Sequence, residues 1–406
     1  MLGNKKLGNM KRRSFIKNTS LATGMALVPN FLKAFDDLVP NLNTHRNLVV
    51  IHLKGGNDGL NTIIPVNNDI YYNARPKIAI KQKDTIRLND ELGFNKNLLP
   101  LKKLYDQGYL SIINNVGYPN PSRSHFVSSD IWQTASDHSN ILDSGWIGRY
   151  LDKYGKKPYN AIQIDDDLDL ALRGERRNGI ATRNAKQLYR SLQESDFNTI
   201  LSYHDPSHHH EHNLGYLYQT MIDAKSSAKY LYETALDSNL SDSYPKTSSL
   251  SNQLKVVGQF IKSGLDTNIY YTSLDGFDTH ANQIGRQNKL LKNYAEAVGA
   301  FVKDLRKNNK FRNTLILTFS EFGRRVKQNY SNGTDHGAAN NVFVIGENLN
   351  KSGLYNSLAS LNDLDNNGDL KYEIDFRTVY ATVLSKWLNA DDRIVLNQDF
   401  EKLNFI

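Results

Sequence analysis

From Asn47 onward, short runs of β-branched and apolar residues alternate with longer amphipathic stretches. Strands joined by helical crossovers into a mostly parallel sheet produce this alternation. The runs predict strands at Leu48–Leu53, Leu110–Val116, Ile269–Leu274, Thr314–Phe319 and Val342–Ile345. The amphipathic stretches predict helices at Asn97–Gln107, Phe126–Thr134, Leu214–Asp237, Leu250–Ser263, Asn282–Lys307 and Phe376–Leu388. Residues 196–213 and 238–249 are polar, rich in Ser, Asp, Asn and His, and read as surface connections or a small cap. The expected fold class is α/β, a mostly parallel central sheet with helices on both faces. One domain would span residues 45–406, with 196–249 as a surface or cap insertion.

The charge distribution removes one class of function. Of 50 Lys and Arg, seven (Lys5, Lys6, Lys11, Arg12, Arg13, Lys17 and Lys33) precede Asp36, and no acid does. Without them 43 basic residues face 42 acidic ones, so the net charge of +8 belongs to the leading segment. No general electrostatic case for nucleic-acid binding is left. The string Lys11-Arg12-Arg13-Ser14-Phe15-Ile16-Lys17 precedes a mildly apolar run, Thr19 to Leu32, too short and too weakly apolar for a stable membrane span. It resembles the twin-arginine export signal. The resemblance implies that residues 1–35 are an export segment read by the twin-arginine translocation machinery, and that the destination is periplasmic or extracellular. Beyond it no stretch offers the roughly 18 apolar residues of a transmembrane helix. With no cysteine in the chain, any metal must be held by His, Asp, Glu or hydroxyl ligands.

Polar residues with chemistry fall just beyond predicted strands, where open α/β sheets place their sites. The first strand runs into Lys54-Gly55-Gly56-Asn57-Asp58-Gly59, a glycine-rich turn from which Asp58 projects. A plain β-turn closed by an Asx bond fits the same string. Leu274 leads into Asp275-Gly276-Phe277-Asp278-Thr279-His280, where two carboxylates and an imidazole suit one divalent cation. Capping of the next helix by Asp278 or Thr279 is the structural alternative. Thr314–Phe319 ends in Ser320-Glu321-Phe322-Gly323-Arg324-Arg325, and Gly333-Thr334-Asp335-His336-Gly337 follows. His336 departs from the strand-end pattern, because it precedes the strand Val342–Ile345. Together these strings predict a metal site drawn from Asp58, Asp275, Asp278, His280, Glu321, Asp335 and His336, with Zn, Mn, Mg or Ca as the ion. Phe322 is expected to turn away into the core.

Between the second and third strands, Pro119-Asn120-Pro121-Ser122-Arg123-Ser124-His125-Phe126 opens a helix. Hydroxyls there face the positive end of the helix dipole, which makes Ser122 and Ser124 candidate nucleophiles as well as ordinary caps. Arg123 and Arg324 are candidates for holding an anionic group. Two further strings carry less. His204, His208, His209, His210 and His212 form a His-rich loop with no strand to hold them. Asp363, Asp365, Asn367, Gly368 and Asp369 match the first half of a calcium loop, yet Ile374 stands where the bidentate acid belongs, so a surface turn is expected.

The strings VVIHLKGGNDGLNTIIP, PSRSHF with DIWQTA, GWIGRYLD, LDGFDTHANQ, LILTFSEFGRR, GTDHGAANNVFVIG and DFRTVYATVLSKWL span about residues 47–390. Together they resemble the bacterial family called domain of unknown function 1501. The resemblance implies a fold like that of alkaline phosphatase, related to sulfatases and phosphatases, and no known substrate; with the ordered metal-ligand set it leads to the expectation of a metal-dependent hydrolase of phosphate or sulfate esters, with a small anionic ester or a polysaccharide as its partner. It maps Asp58 onto the first-strand aspartate, Asp275 or Asp278 with His280 onto an Asp-plus-His pair, and His336 onto the last ligand histidine. At Glu321 an Asp-His pair is replaced by Glu-Phe. Laid over the sulfatase nucleophile motif, PSR puts Pro119 at the nucleophile position, so Ser122 or Ser124 substitutes or no covalent intermediate forms. A non-catalytic exported binding protein with a degenerate site is the alternative.

Overall fold

The computed structural model describes residues 45–202, 212–236 and 241–406, apart from 242 and 247. His45–Ile406 form one compact unit. The export string and the loop histidines His204 and His208–His210 lie outside the described residues.

Strands among the described residues are β1 Asn47–Lys54, β2 Ile63–Pro65, β3 Thr85–Arg87, β4 Leu92–Asn95, β5 Leu110–Gly117, β6 Ala161–Gln163, β7 Ile180–Ala181, β8 Ile269–Asp275, β9 Thr314–Phe319, β10 Asn340–Ile345, β11 Gly353–Leu354 and β12 Ile374–Asp375. Nine of them make one sheet in the order β11-β5-β10-β9-β1-β8-β6-β7, with β12 also on β5. β1 pairs parallel with β8 and β9, and β6 pairs parallel with β7 and β8. β10 alone runs antiparallel, between β5 and β9. Strands β2 to β4 form a separate antiparallel sheet.

The five predicted strands and six predicted helices are all present, with ends shifted by a few residues. Alternation explains why the sheet is covered on both faces. Val49, Ile51 and Leu53 of β1 pack with the apolar stripes of the helices Ser249–Ser263 and Gln283–Lys307. Leu48 and Val50 face the other way, toward His125–Thr134, Trp146–Tyr154 and Phe376–Thr382. Each fully buried Val, Leu or Ile contributes about 1.5–3 kcal/mol relative to exposure. Local signals set the helix limits: Ser248 accepts from Ser251 N at 3.0 Å at the start of Ser249–Ser263, and Gly264 closes it with φ 77°. Strands β2, β3, β4, β6 and β7 escape a reading by periodicity because two to four residues carry too little pattern. A helix, Ser195–Ser202, also occupies the start of the segment read as surface connection.

The reversed strand accounts for His336. Parallel strands bring the carboxyl ends of β1, β5, β8 and β9 to one sheet edge, and an antiparallel β10 brings its amino end to the same edge. The loop before β10 therefore joins the loops after the others. These loops press closely together. Gly55 (φ +116°) lies so near the β8 loop that a Cβ would stand 2.4 Å from Asp278 N, and a Cβ on Gly56 (φ +72°) would stand 2.2 Å from the Phe322 ring. Gly55→Ala should therefore lower stability by more than the about 1–3 kcal/mol of backbone strain alone, because the Asp278 loop must also move. Urea unfolding of the variant measures this; an unchanged midpoint would contradict the contact.

Candidate metal centre

Four loops deliver side chains to one point on this edge. His125 is the first residue of the helix His125–Thr134, after β5. Asp278 and His280 follow β8, Glu321 and Arg324 follow β9, and His336 precedes β10. His125, Asp278 and His336 each offer a ligand atom, and these atoms lie within 4.8 Å of one another. His336 Nε2 is 3.3 Å and His125 Nε2 3.5 Å from Asp278 Oδ1. Donors on a tetrahedral ion with bonds of about 2.1 Å stand roughly 3.4 Å apart, so this spacing fits a cation with little adjustment.

The far side of each imidazole explains its orientation. His336 Nδ1 donates to the Arg123 carbonyl at 2.6 Å, and a carbonyl can only accept. The neutral ring therefore keeps its Nε2 lone pair toward Asp278. His125 Nδ1 donates to Glu321 Oε1 at 2.9 Å, with the same consequence. Its Nε2 is buried and has no hydrogen-bond partner among the described residues. A buried nitrogen left open beside a second imidazole nitrogen that faces the same carboxylate fits a divalent ion, which would complete all three. Phe322 does not turn away as expected: it is buried, but its ring centroid lies 4.9 Å from that of His125 and 4.8 Å from that of His336, forming the apolar floor of the cluster.

Electrostatics follow from these contacts. Burial works against ionisation of Asp278, but the Arg324 hydrogen bond and charge, with the charge of His280, hold its pKa down to about 2. Burial also opposes charge on Glu321, and hydrogen bonds from His125 and His52 outweigh it, leaving the group well below the usual carboxylate range. The bond to Glu321 raises His125 against the opposing effect of burial. Burial lowers His336, so it favours the neutral, ligating form.

Several residues expected at the metal lie elsewhere. Asp58 is fully buried and faces Arg75, whose Nη1 and Nη2 donate to its two oxygens at 2.6 and 3.1 Å; Gln283 donates as well. This ion pair, closed inside the loop, replaces the expected metal contact. Asp275 is exposed at the end of β8, in register with Lys54. Asp335 accepts from Asn329 Nδ2 at 3.1 Å. Glu321 stands behind His125 instead of at the ion's position, since both its oxygens already receive donors. His280 touches the cluster from one side, with Nδ1 2.7 Å from Asp278 Oδ1.

Both guanidiniums already hold protein groups, Arg324 wholly buried and Arg123 with its side chain partly exposed. Arg123 donates Nε to Asp369 Oδ2 at 2.9 Å and pairs a second time through Nη2. Arg324 is buried and donates to Gly56 O at 2.7 Å, Thr334 O at 2.8 Å, Phe277 O at 3.1 Å and Asp278 Oδ1 at 2.7 Å, as well as to Gly55 O. Ser124 is exposed at the N-cap position of the helix, yet its side chain makes no capping bond; Ser122 Oγ accepts from Ser124 N at 3.2 Å. Neither Asp278 nor Thr279 caps a helix, because the next one begins at Gln283 behind Asn282. In the calcium-like string, Asp365 Oδ1 accepts from Asn367 N and Asp369 N, which is a turn.

His125 is a candidate ligand that the sequence motifs do not single out. The signal for it was available: like the acids, it follows a strand's carboxyl end, with Ser and Arg drawing attention from it.

Comparison with known proteins adds the following. The family described as "Protein of unknown function (DUF1501)" matches residues 109–397. No curated protein matches the sequence. Similar solved structures include the C-terminal periplasmic domain of EcEptC from Escherichia coli in complex with Zn, at 10% identity, covering 75% of this chain and 73% of that one, with a TM-score of 0.37. The PsFucS1 sulfatase from Pseudoalteromonas sp. shares 11% identity over 92% of this chain and 73% of its own, with a TM-score of 0.38. The lipoteichoic acid synthase LtaP from Listeria monocytogenes shares 8% over 77% and 68%, with a TM-score of 0.37. No helix among the described residues is long and apolar enough to cross a membrane.

The relocation of Asp58 can be checked directly. Asp58→Ala leaves the Arg75 guanidinium buried without its carboxylate and should cost about 3–5 kcal/mol in urea unfolding. A loss smaller than about 1 kcal/mol, the range of an exposed pair, would show that Arg75 does not depend on it.

Proposed function

We propose that this chain, which belongs to the DUF1501 family of unknown function, is an exported metal-dependent hydrolase acting on phosphate or sulfate esters. The observation that carries this reading is the open, buried Nε2 of His125 beside Asp278 and His336. Two imidazoles and one carboxylate favour a borderline ion such as Zn over Mg or Ca, and three protein donors leave a position for water or substrate. A bound cation would supply polarisation of the ester and stabilisation of developing negative charge.

The chain's own residues do the remainder. Glu321 and the Arg123 carbonyl hold the two rings with Nε2 forward. Phe322 excludes water from beneath them. Ser124, whose hydroxyl is not used in capping, is the nucleophile of this reading, with Ser122 as the alternate. Asp275 and Asp335 take no part in it. A second reading, an exported protein that binds a polysaccharide or partner without turnover, is favoured by one observation: Arg123 and Arg324 are both engaged by protein groups.

Purified protein should carry a stoichiometric divalent cation and hydrolyse aryl phosphate or sulfate esters. His336→Ala should weaken metal binding by at least about 100-fold, the upper range for losing even an outer partner, and Ser124→Ala should abolish turnover. Metal at the level of a chelated blank in the wild type would remove the hydrolase reading. Metal without turnover of either ester would favour the binding protein.

The twin-arginine string supports export. Replacing Arg12 and Arg13 together by Lys should retain the protein in the cytoplasm, because the guanidinium pair is the recognised feature. Fractionation that finds the double variant outside would overturn the assignment.

A further inference from the structure

His52 is a buried imidazole that this mechanism leaves unused. It sits in β1 with no exposed surface, opposite Phe319 of β9, and its ring stacks on Phe319 at 4.7 Å. Its Nε2 lies 3.3 Å from Glu321 Oε2, and its Nδ1 lies 3.3 Å from the Tyr271 hydroxyl. One tautomer satisfies both contacts: Nε2–H donates to the carboxylate and Tyr271 O–H donates to Nδ1.

We propose that His52 is a positioning residue for the metal ligand His125, acting through Glu321 from inside the sheet. Proton counting on Glu321 supports this. Oε1 receives Gly55 N–H at 2.8 Å and His125 Nδ1–H at 2.9 Å. Oε2 has two neighbours, His52 and the Ser320 hydroxyl at 3.2 Å. Ser320 has a single hydroxyl proton and a nearer acceptor, Leu53 O at 2.6 Å. His52 is thus the side chain that supplies a proton to Oε2. Without it, one oxygen of a buried carboxylate loses its side-chain donor, and the group gains by rotating toward another. That rotation releases Nδ1 of His125, and with it the direction of Nε2.

The inference rests on the metal site of the functional reading but not on the hydrolytic step. The test compares His52→Leu, which keeps apolar bulk and removes both contacts, with His52→Gln, whose amide restores a donor toward Glu321. Zinc affinity should fall about 10–100-fold in the Leu variant and recover in the Gln variant. In the metal-free protein, ring nitrogen chemical shifts should report the Nδ1–H tautomer of His125 in the wild type and a mixture in the Leu variant. A role in packing alone predicts the opposite order, with Gln the more damaging. Tyr271→Phe, which only frees His52 Nδ1, should move both readouts the same way more weakly and serves if the Leu variant fails to fold. Zinc affinity within about twofold of wild type, with an unchanged His125 tautomer, would overturn the proposal. A wild type that binds no zinc would sink the functional reading, while the tautomer comparison would still decide the role of His52.

Discussion

A single buried guanidinium ties the site together. Arg324 reaches back from the β9 loop to carbonyls of the β1 loop at Gly55 and Gly56, of the β8 loop at Phe277, and of Thr334 before β10, and also grips the Asp278 carboxylate. Those carbonyls lie in loops outside the strands and have no ladder partner, and a buried acceptor without a donor is costly. The flat fork of arginine can serve several at once, where an ammonium group acts as a point charge. The arrangement explains why the two glycines after β1 are required: the loops can share one guanidinium only if their backbones nearly touch.

On that frame the chemistry is built in two layers. The front layer presents two imidazole nitrogens and a carboxylate, and the layer behind fixes where they point. Glu321 and the Arg123 carbonyl each take one ring proton, and Asp369 holds the Arg123 side chain and so its loop. Charge is divided in the same way. Arg324 favours the ionised form of Asp278, N–H donors do the same for the buried Glu321, burial favours neutral His336, and the bond to Glu321 raises His125. Ionised carboxylates and neutral imidazoles are the forms that bind a metal ion, so uptake at His125 also displaces its proton as pH falls.

The sequence alone determined the frame. Strands such as Leu110–Val116 and Thr314–Phe319 and helices such as Leu250–Ser263 were legible because their side-chain period and their caps are local properties of the chain. The rule that acids and imidazoles gather beyond strand ends led to Asp278 and Glu321, whereas His336, which precedes β10, stood out only by its glycine-flanked Asp-His string. What the sequence could not decide was which carboxylate joins the two imidazoles of the candidate site. Asp58 and Asp278 occupy equivalent places in their strings, but Asp58 meets Arg75 17 residues on and Gln283 225 residues on, while Asp278 meets His336. Those partners are chosen by the order and direction of strands, above all by the reversal of β10, and a reversed strand has the same period as a parallel one. The tertiary structure therefore decided which side chains form the candidate ligand set, because a carboxylate's role depends on the charge brought against it by distant segments and not on its neighbours in the chain.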